Sequence, residues 1–180
     1  MKAAIGARGF SRAIASALVM AAVSTTGDYL WKNVLPHHIP IYGLAHGTLL
    51  FLTAGLCLGV AAGKPALGAI GGAVIGFSAA GSFYLLQPLM GYSAMFVLFI
   101  ALWVALGLLN GRVLQQRESM RVVLIRSAIA AVGTGLGFYV ISGIWFPFNP
   151  RGWDYLRHFV SWTVAYLPAF AALLSQRTPQ

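Results

Sequence analysis

Six long apolar runs, interrupted by prolines, glycines and charged residues, constrain this chain more than any other feature. Because a helix needs roughly 20 apolar residues to cross the hydrocarbon core of a bilayer, each run predicts one transmembrane helix. Only 8% of the 180 residues are charged, whereas a soluble domain carries about 25%. We therefore predict a single domain, an all-α polytopic transmembrane bundle with six spans at residues of about 10–30, 41–63, 66–86, 92–114, 122–145 and 155–174.

The first run allows a second interpretation. Lys2, Arg8 and Arg12 lie at its start, and a cleaved signal peptide also begins with basic residues before an apolar stretch. However, the apolar character continues to Trp31, and no small-x-small cleavage site precedes a soluble segment. We expect a retained first span, and the signal peptide stays open as the alternative.

The distribution of Lys and Arg predicts the orientation, because the cytoplasmic side of a membrane protein keeps their excess. Of the 12 basic residues, the side that holds both termini would carry all except Lys32, Arg151 and Arg157. Both termini and the charged connection 112–126 are therefore expected in the cytoplasm, with the protein in the inner membrane of a bacterium. The net charge of +9 is spread between apolar runs, so membrane lipids rather than nucleic acid are the expected partners.

Glycines recur every four residues along several of the runs. In a membrane, helices associate where small side chains let their backbones approach closely. We expect close packing within one chain, and a homo-oligomer seam is the alternative. The expected packing residues are Gly55, Gly59, Gly68, Gly72, Gly76, Gly133 and Gly137.

Six polar residues are predicted to lie toward the outer leaflet, where they could form the mouth of a cavity for a lipid head group. Polar groups at membrane depth are costly and are therefore functional candidates. Alternatively, each residue caps its own helix or reaches the interface, and Asp28 pairs with Lys32 one turn further on. The candidate ligand-binding residues are Asp28, His46, Gln87, Asp154, Arg157 and His158.

We expect no catalytic residue, no cofactor and no metal. His37, His38 and His46 carry imidazoles that could bind a transition metal, but their spacing fits no common ligand pattern and Pro40 intervenes. Asp28, His46 and a serine such as Ser142 could be combined into a triad, but the sequence contains no nucleophile-elbow pattern.

The connection between the fifth and sixth runs resembles a known family. The segment Gly143-Ile144-Trp145-Phe146-Pro147-Phe148-Asn149-Pro150, followed by Tyr155-Leu156-Arg157, is similar to the segment before the last helix of the Insig proteins. This resemblance covers about fifteen residues, requires a one-residue insertion between Pro150 and Tyr155, and rests elsewhere on hydrophobicity alone. It implies six spans with inward termini and lipid binding, since Insig proteins bind sterols and bacterial relatives bind lipid in a membrane cavity. No binding residue is transferred from it.

These observations favour a non-enzymatic membrane protein that binds a lipid, a hydrophobic small molecule or a membrane partner. Two alternatives stay open. A small transporter or channel subunit would need protonatable groups deep in the bundle, whereas Asp28 and His46 are predicted near one surface. An integral membrane enzyme acting on lipids would need a catalytic group such as His46.

Overall fold

The computed structural model describes residues 7–35, 40–91, 93–116, 118–145 and 150–175, with the backbone alone for residues 7, 8, 40, 95, 96 and 138–145. The described residues form helices and connections, without a strand, so the predicted all-α bundle is confirmed. The helices are α1 (Ala7–Asn33), α2 (Pro40–Ala62), α3 (Pro65–Met90), α4 (Ser93–Leu108), α5 (Met120–Trp145) and α6 (Asp154–Leu174), and α4 continues into a π-helical turn, Leu109–Leu114.

Five of these helices are long and apolar enough to cross a membrane, including α4 together with its π-helical turn. The sixth, α6, has 21 residues, but Asp154, Arg157 and His158 in its first turns reduce its apolar character. The chain is therefore a helical membrane protein, and the charged residues of α6 lie together at its N-terminal end.

The hairpin of α2 and α3 is held together by direct contact between helix backbones. A Cβ atom added at Gly72 would lie 2.9 Å from the Cα atom of Gly55, and one added at Gly59 would lie 3.0 Å from the Cα atom of Gly68. Any side chain larger than glycine would separate the helices there, because no flexible atom is present that could move aside. Glycine every four residues on both helices places these contacts on one face of each helix.

The other four helices pack side by side in the order α1, α6, α5 and α4. Between α5 and α6, Gly137 faces the Cα atom of Ala165, and Gly133 faces the ring of Pro168. Small residues thus also set the contacts between α5 and α6. In contrast to the hairpin, however, these glycines face side-chain atoms as well as backbone atoms. The contacts between this group and the α2–α3 hairpin are sparser, and they run through α1, α4 and α6.

Two helix ends differ from the sequence prediction. Helix α3 continues through Pro88 to Met90, where Gly91 adopts a positive φ of 58° and donates its N–H to the carbonyl of Gln87. A proline in the last turn removes one hydrogen bond without ending the helix there. The predicted charged connection 112–126 is also shorter than expected, because α5 already begins at Met120.

Candidate functional site

A cavity of about 420 Å³ lies in the seam between the α2–α3 hairpin and the other helices. All helices except α5 contribute to its wall, which is mainly apolar and aromatic. Along α2 the wall extends from Gly43 to Phe51, a rise of about 12 Å at 1.5 Å per residue. The polar and aromatic members of the wall are Asp28, His46, Phe51, Phe83, Tyr84, Phe99, Trp162 and Tyr166.

Asp28 supplies the formal charge of this wall. Its Oδ2 atom accepts a hydrogen bond of 3.0 Å from the indole Nε1 of Trp162 and lies 3.6 Å from Nδ1 of His158. The carboxyl side chain keeps 37% of its surface exposed, so it remains accessible at the mouth of the cavity. The expected local pair with Lys32 is not among the ion pairs of the described residues, because the Asp28 carboxylate is directed to α6 instead.

His46 forms the wall between this cavity and a second groove. The imidazole lies directly on Gly27, where even a Cβ atom would collide with it. It stacks on Tyr42 with ring centroids 5.7 Å apart, and the Tyr42 hydroxyl donates a hydrogen bond to the carbonyl of Gly27. The second groove, of about 340 Å³, lies between α1 and α2 and also includes His46 in its wall.

A buried hydrogen bond joins α1 to α6 at one side of the cavity. The hydroxyls of Ser24 and Tyr166 are 2.9 Å apart, and both side chains are almost completely buried. The Tyr166 ring stacks on Trp162 with centroids 5.4 Å apart. Trp162 is thereby held between Asp28 and Tyr166, which orients its N–H toward the carboxylate.

The six residues predicted for ligand binding separate into two groups. Asp28 and His46 line the cavity, and His158 is buried beside Asp28. Asp154 instead accepts a hydrogen bond from the N–H of Arg151 and forms an ion pair with the exposed Arg157. These residues, like Gln87, lie at the same end of the bundle but outside the cavity wall.

Sequence reasoning missed Tyr84, Trp162 and Tyr166 as members of the cavity wall. The Tyr84 hydroxyl lies over Gly43 in the wall. On α6, His158, Trp162 and Tyr166 are spaced four residues apart, so they lie on one helix face. That spacing beside an acidic residue on another helix was the available signal.

The opposite end of the bundle holds a separate polar network. Asn110, buried in the π-helical turn, donates its side-chain amide to the carbonyl of Leu173 at 2.8 Å and accepts a hydrogen bond from Gln115. Arg126 forms an ion pair with Glu118 in the connection to α5. These contacts join helix ends, and none of their residues belongs to the wall of the seam cavity.

Within the described residues, no three His, Cys, Asp or Glu side chains come together in a way that could hold a metal ion. His37 and His38 lie outside those residues, and so does the Ser142 side chain. Most side chains of the Insig-like segment 143–150 also lie outside them. No protein-family model matches this chain, and no curated protein or solved structure matches it significantly.

Proposed function

We propose that this membrane protein binds a lipid or another amphiphile in the seam cavity, without catalysis. The observation that carries the proposal is a largely apolar cavity with its charged group, Asp28, near one end. A volume of about 420 Å³ is within the range of about 300–1,000 Å³ that is typical of small-molecule sites. Its length along α2 of about 12 Å corresponds to somewhat less than half of a hydrocarbon core about 30 Å thick.

The orientation of the bundle supports an outer-leaflet position for the cavity mouth. Asp28 lies near the end of α1 that holds Lys32, and Arg151 and Arg157 lie at the same end of the bundle. The opposite end holds more basic residues, namely Arg12, Lys64, Arg112, Arg121 and Arg126. The excess of positive charge favours a cytoplasmic location for that end, and hence inward termini with six crossings in the inner membrane.

The α1–α2 groove offers an access route from the bilayer. Its wall includes the exposed side chains of Leu30 and Leu49, which would face lipid tails, and His46 separates it from the cavity. An amphiphile already in the membrane could therefore reach the cavity by displacing one imidazole. The Insig resemblance leads to the same expectation of lipid binding.

The test compares two Ala→Leu variants by native mass spectrometry of gently purified protein. Ala79 lines the cavity, so Ala79→Leu should fill part of it and remove most of a stoichiometric bound amphiphile. Ala101 is exposed on the neighbouring helix α4, and Ala101→Leu should retain the wild-type occupancy. Equal occupancy in the two variants, or a wild-type protein that carries no amphiphile from its native membrane, would contradict the proposal.

A further inference from the structure

We propose that the amphiphile bound in the seam cavity carries a cationic ammonium head group, such as a trimethylammonium. This inference rests on the proposed function, because it concerns the ligand of the same cavity. The juxtaposition that carries it is one carboxylate, Asp28, beside an aromatic wall that includes Tyr84 and Trp162.

The head group must supply most of the selectivity. An alkyl tail that leaves the bilayer for an apolar cavity exchanges one apolar environment for another, so its transfer contributes little discrimination. Polar atoms at the cavity mouth therefore decide which amphiphile is retained. Asp28 is the charged one among them, and no Lys or Arg belongs to the described wall.

The Asp28 carboxylate has capacity for a further partner. Trp162 donates a hydrogen bond to Oδ2, the same oxygen that faces His158, whereas Oδ1 accepts no hydrogen bond from the described residues. A carboxylate without a counter-charge is costly at membrane depth. An anionic head group would add a second negative charge there, whereas a cationic one would neutralise the first.

The aromatic residues suit the same class of ligand. A cation within about 6 Å of an aromatic ring face is attracted by the ring quadrupole, and aromatic cages are the common recognition device for quaternary ammonium groups. Phe83 and Tyr84 on α3, Phe99 on α4 and Trp162 on α6 all line the cavity that Asp28 borders. The wall thus combines an aromatic surface with a negative charge at one end.

His158 is the rival partner of Asp28, because its Nδ1 atom lies 3.6 Å from the carboxylate. The two possibilities are separated by comparing a variant of the carboxylate with a variant of the imidazole. If a ligand cation uses Asp28, the affinity for the cation falls in Asp28→Asn and is retained in His158→Gln. If Asp28 serves only to hold His158, Asp28→Asn leaves the binding of a cation unchanged.

The experiment measures three probes with the same octyl chain on the full-length protein in dodecyl maltoside at pH 8. The probes are octyltrimethylammonium, 1-octanol and octyl phosphate, and native mass spectrometry gives the fraction of protein that carries each one. We expect the cation to bind about tenfold more tightly than the alcohol, and the phosphate to bind more weakly than both. His158→Gln should keep this order of affinities, because the Asp28 carboxylate is still present.

Asp28→Asn tests the charge alone, because the amide oxygen can still accept the hydrogen bond from Trp162. We expect about a tenfold loss of affinity for the cation and little change for the alcohol. Asp154→Asn is the matched control, since Asp154 lies at the same end of the bundle and pairs with Arg157 outside the cavity. Thermal melting of both variants checks that they fold. If Asp28→Asn does not fold, Asp28→Glu takes its place; it keeps the negative charge and should therefore keep the preference for the cation.

The outcomes separate this inference from the proposed function. Equal binding of all three probes, or equal affinity for the cation in the wild-type protein and Asp28→Asn, would overturn the cationic head group while leaving amphiphile binding in place. Binding of none of the probes to the wild-type protein, combined with no amphiphile carried from the membrane, would overturn both proposals. A cation preference that Asp28→Asn removes and Asp154→Asn keeps would support the inference.

Discussion

The α2–α3 hairpin and the seam beside it are built from the same two helices, but they pack in opposite ways. Inside the hairpin, Gly55 meets Gly72 and Gly59 meets Gly68, so backbone touches backbone. In the seam, large side chains such as Phe51 and Phe99 line about 420 Å³ of open space. One face of the hairpin is therefore closed to any insertion, and the adjoining face is open to a ligand.

This difference shows that small residues do not produce a cavity by themselves. Where glycines on both helices face one another, the backbones approach until no space remains. The seam stays open because aromatic side chains and one hydrogen-bonded polar group, Asp28 with Trp162, separate the elements. Side-chain size on the facing helices thus decides where a membrane bundle can hold a ligand.

The largest effect is expected from a variant that separates the helix backbones inside the α2–α3 hairpin. Gly72→Ala places a methyl group against the backbone of Gly55 and Phe51, and it should lower the free energy of unfolding by about 3 kcal/mol. The measurement is reversible unfolding in mixed micelles. Gly81→Ala on the same helix is the matched control, because its nearest neighbour is the Cδ2 atom of Leu44 at 3.9 Å; it should be neutral or slightly stabilising. Similar losses in both variants would contradict the backbone contact.

The second effect concerns the open face and its charge. Asp28 is the charged residue of the described cavity wall, and Asp28→Asn removes that charge while keeping an oxygen that can accept the hydrogen bond from Trp162. This variant should therefore bind octyltrimethylammonium about tenfold more weakly, and octyl phosphate more tightly, than the wild-type protein does. Titration by native mass spectrometry would check this, and unchanged affinities for both probes would contradict the assigned charge.

A smaller effect is expected at the side of the seam. Ser24→Ala removes the buried partner of the Tyr166 hydroxyl and should lower the free energy of unfolding by about 1 kcal/mol. Ser78 is exposed on α3, and Ser78→Ala should change it by less than about 0.5 kcal/mol. Thermal melting of the two variants gives the comparison. An equal, small effect would show that the Ser24–Tyr166 contact does not hold α1 and α6 together.

The glycine contacts of the α2–α3 hairpin could be predicted from the sequence, whereas only some residues of the seam cavity could. Glycine every four residues on two neighbouring runs has one efficient arrangement, in which the helices meet along those residues. The partner of Asp28 could not be read in this way, because Lys32 is its neighbour along the helix and Trp162 reaches it only after α1 and α6 pack. The spacing along one helix predicts pairs within that helix, but in the structure Asp28 contacts Trp162 on α6 instead of Lys32.

The ends of the helices show the same limit. Pro88 predicted the end of the third span near Leu86, but α3 continues to Met90, because a proline near a helix end removes only one hydrogen bond. The π-helical turn Leu109–Leu114 had no sequence signal, and neither did the hydrogen bond from its Asn110 side chain to the carbonyl of Leu173 on α6. Contacts to a second helix, such as this one, cannot be predicted from the spacing of residues within one run.

Photo-crosslinking tests the central claim, that the seam is a binding site, most directly. The probe is octyltrimethylammonium with a diazirine at the end of its chain, and the adducts are located by peptide mass spectrometry. We predict adducts on Phe51, Phe99 and Leu102 in the cavity wall, which an excess of the unlabelled amphiphile removes. Adducts confined to the outward residues Leu85 and Leu89 of α3, which are 77% and 82% exposed, would contradict the claim.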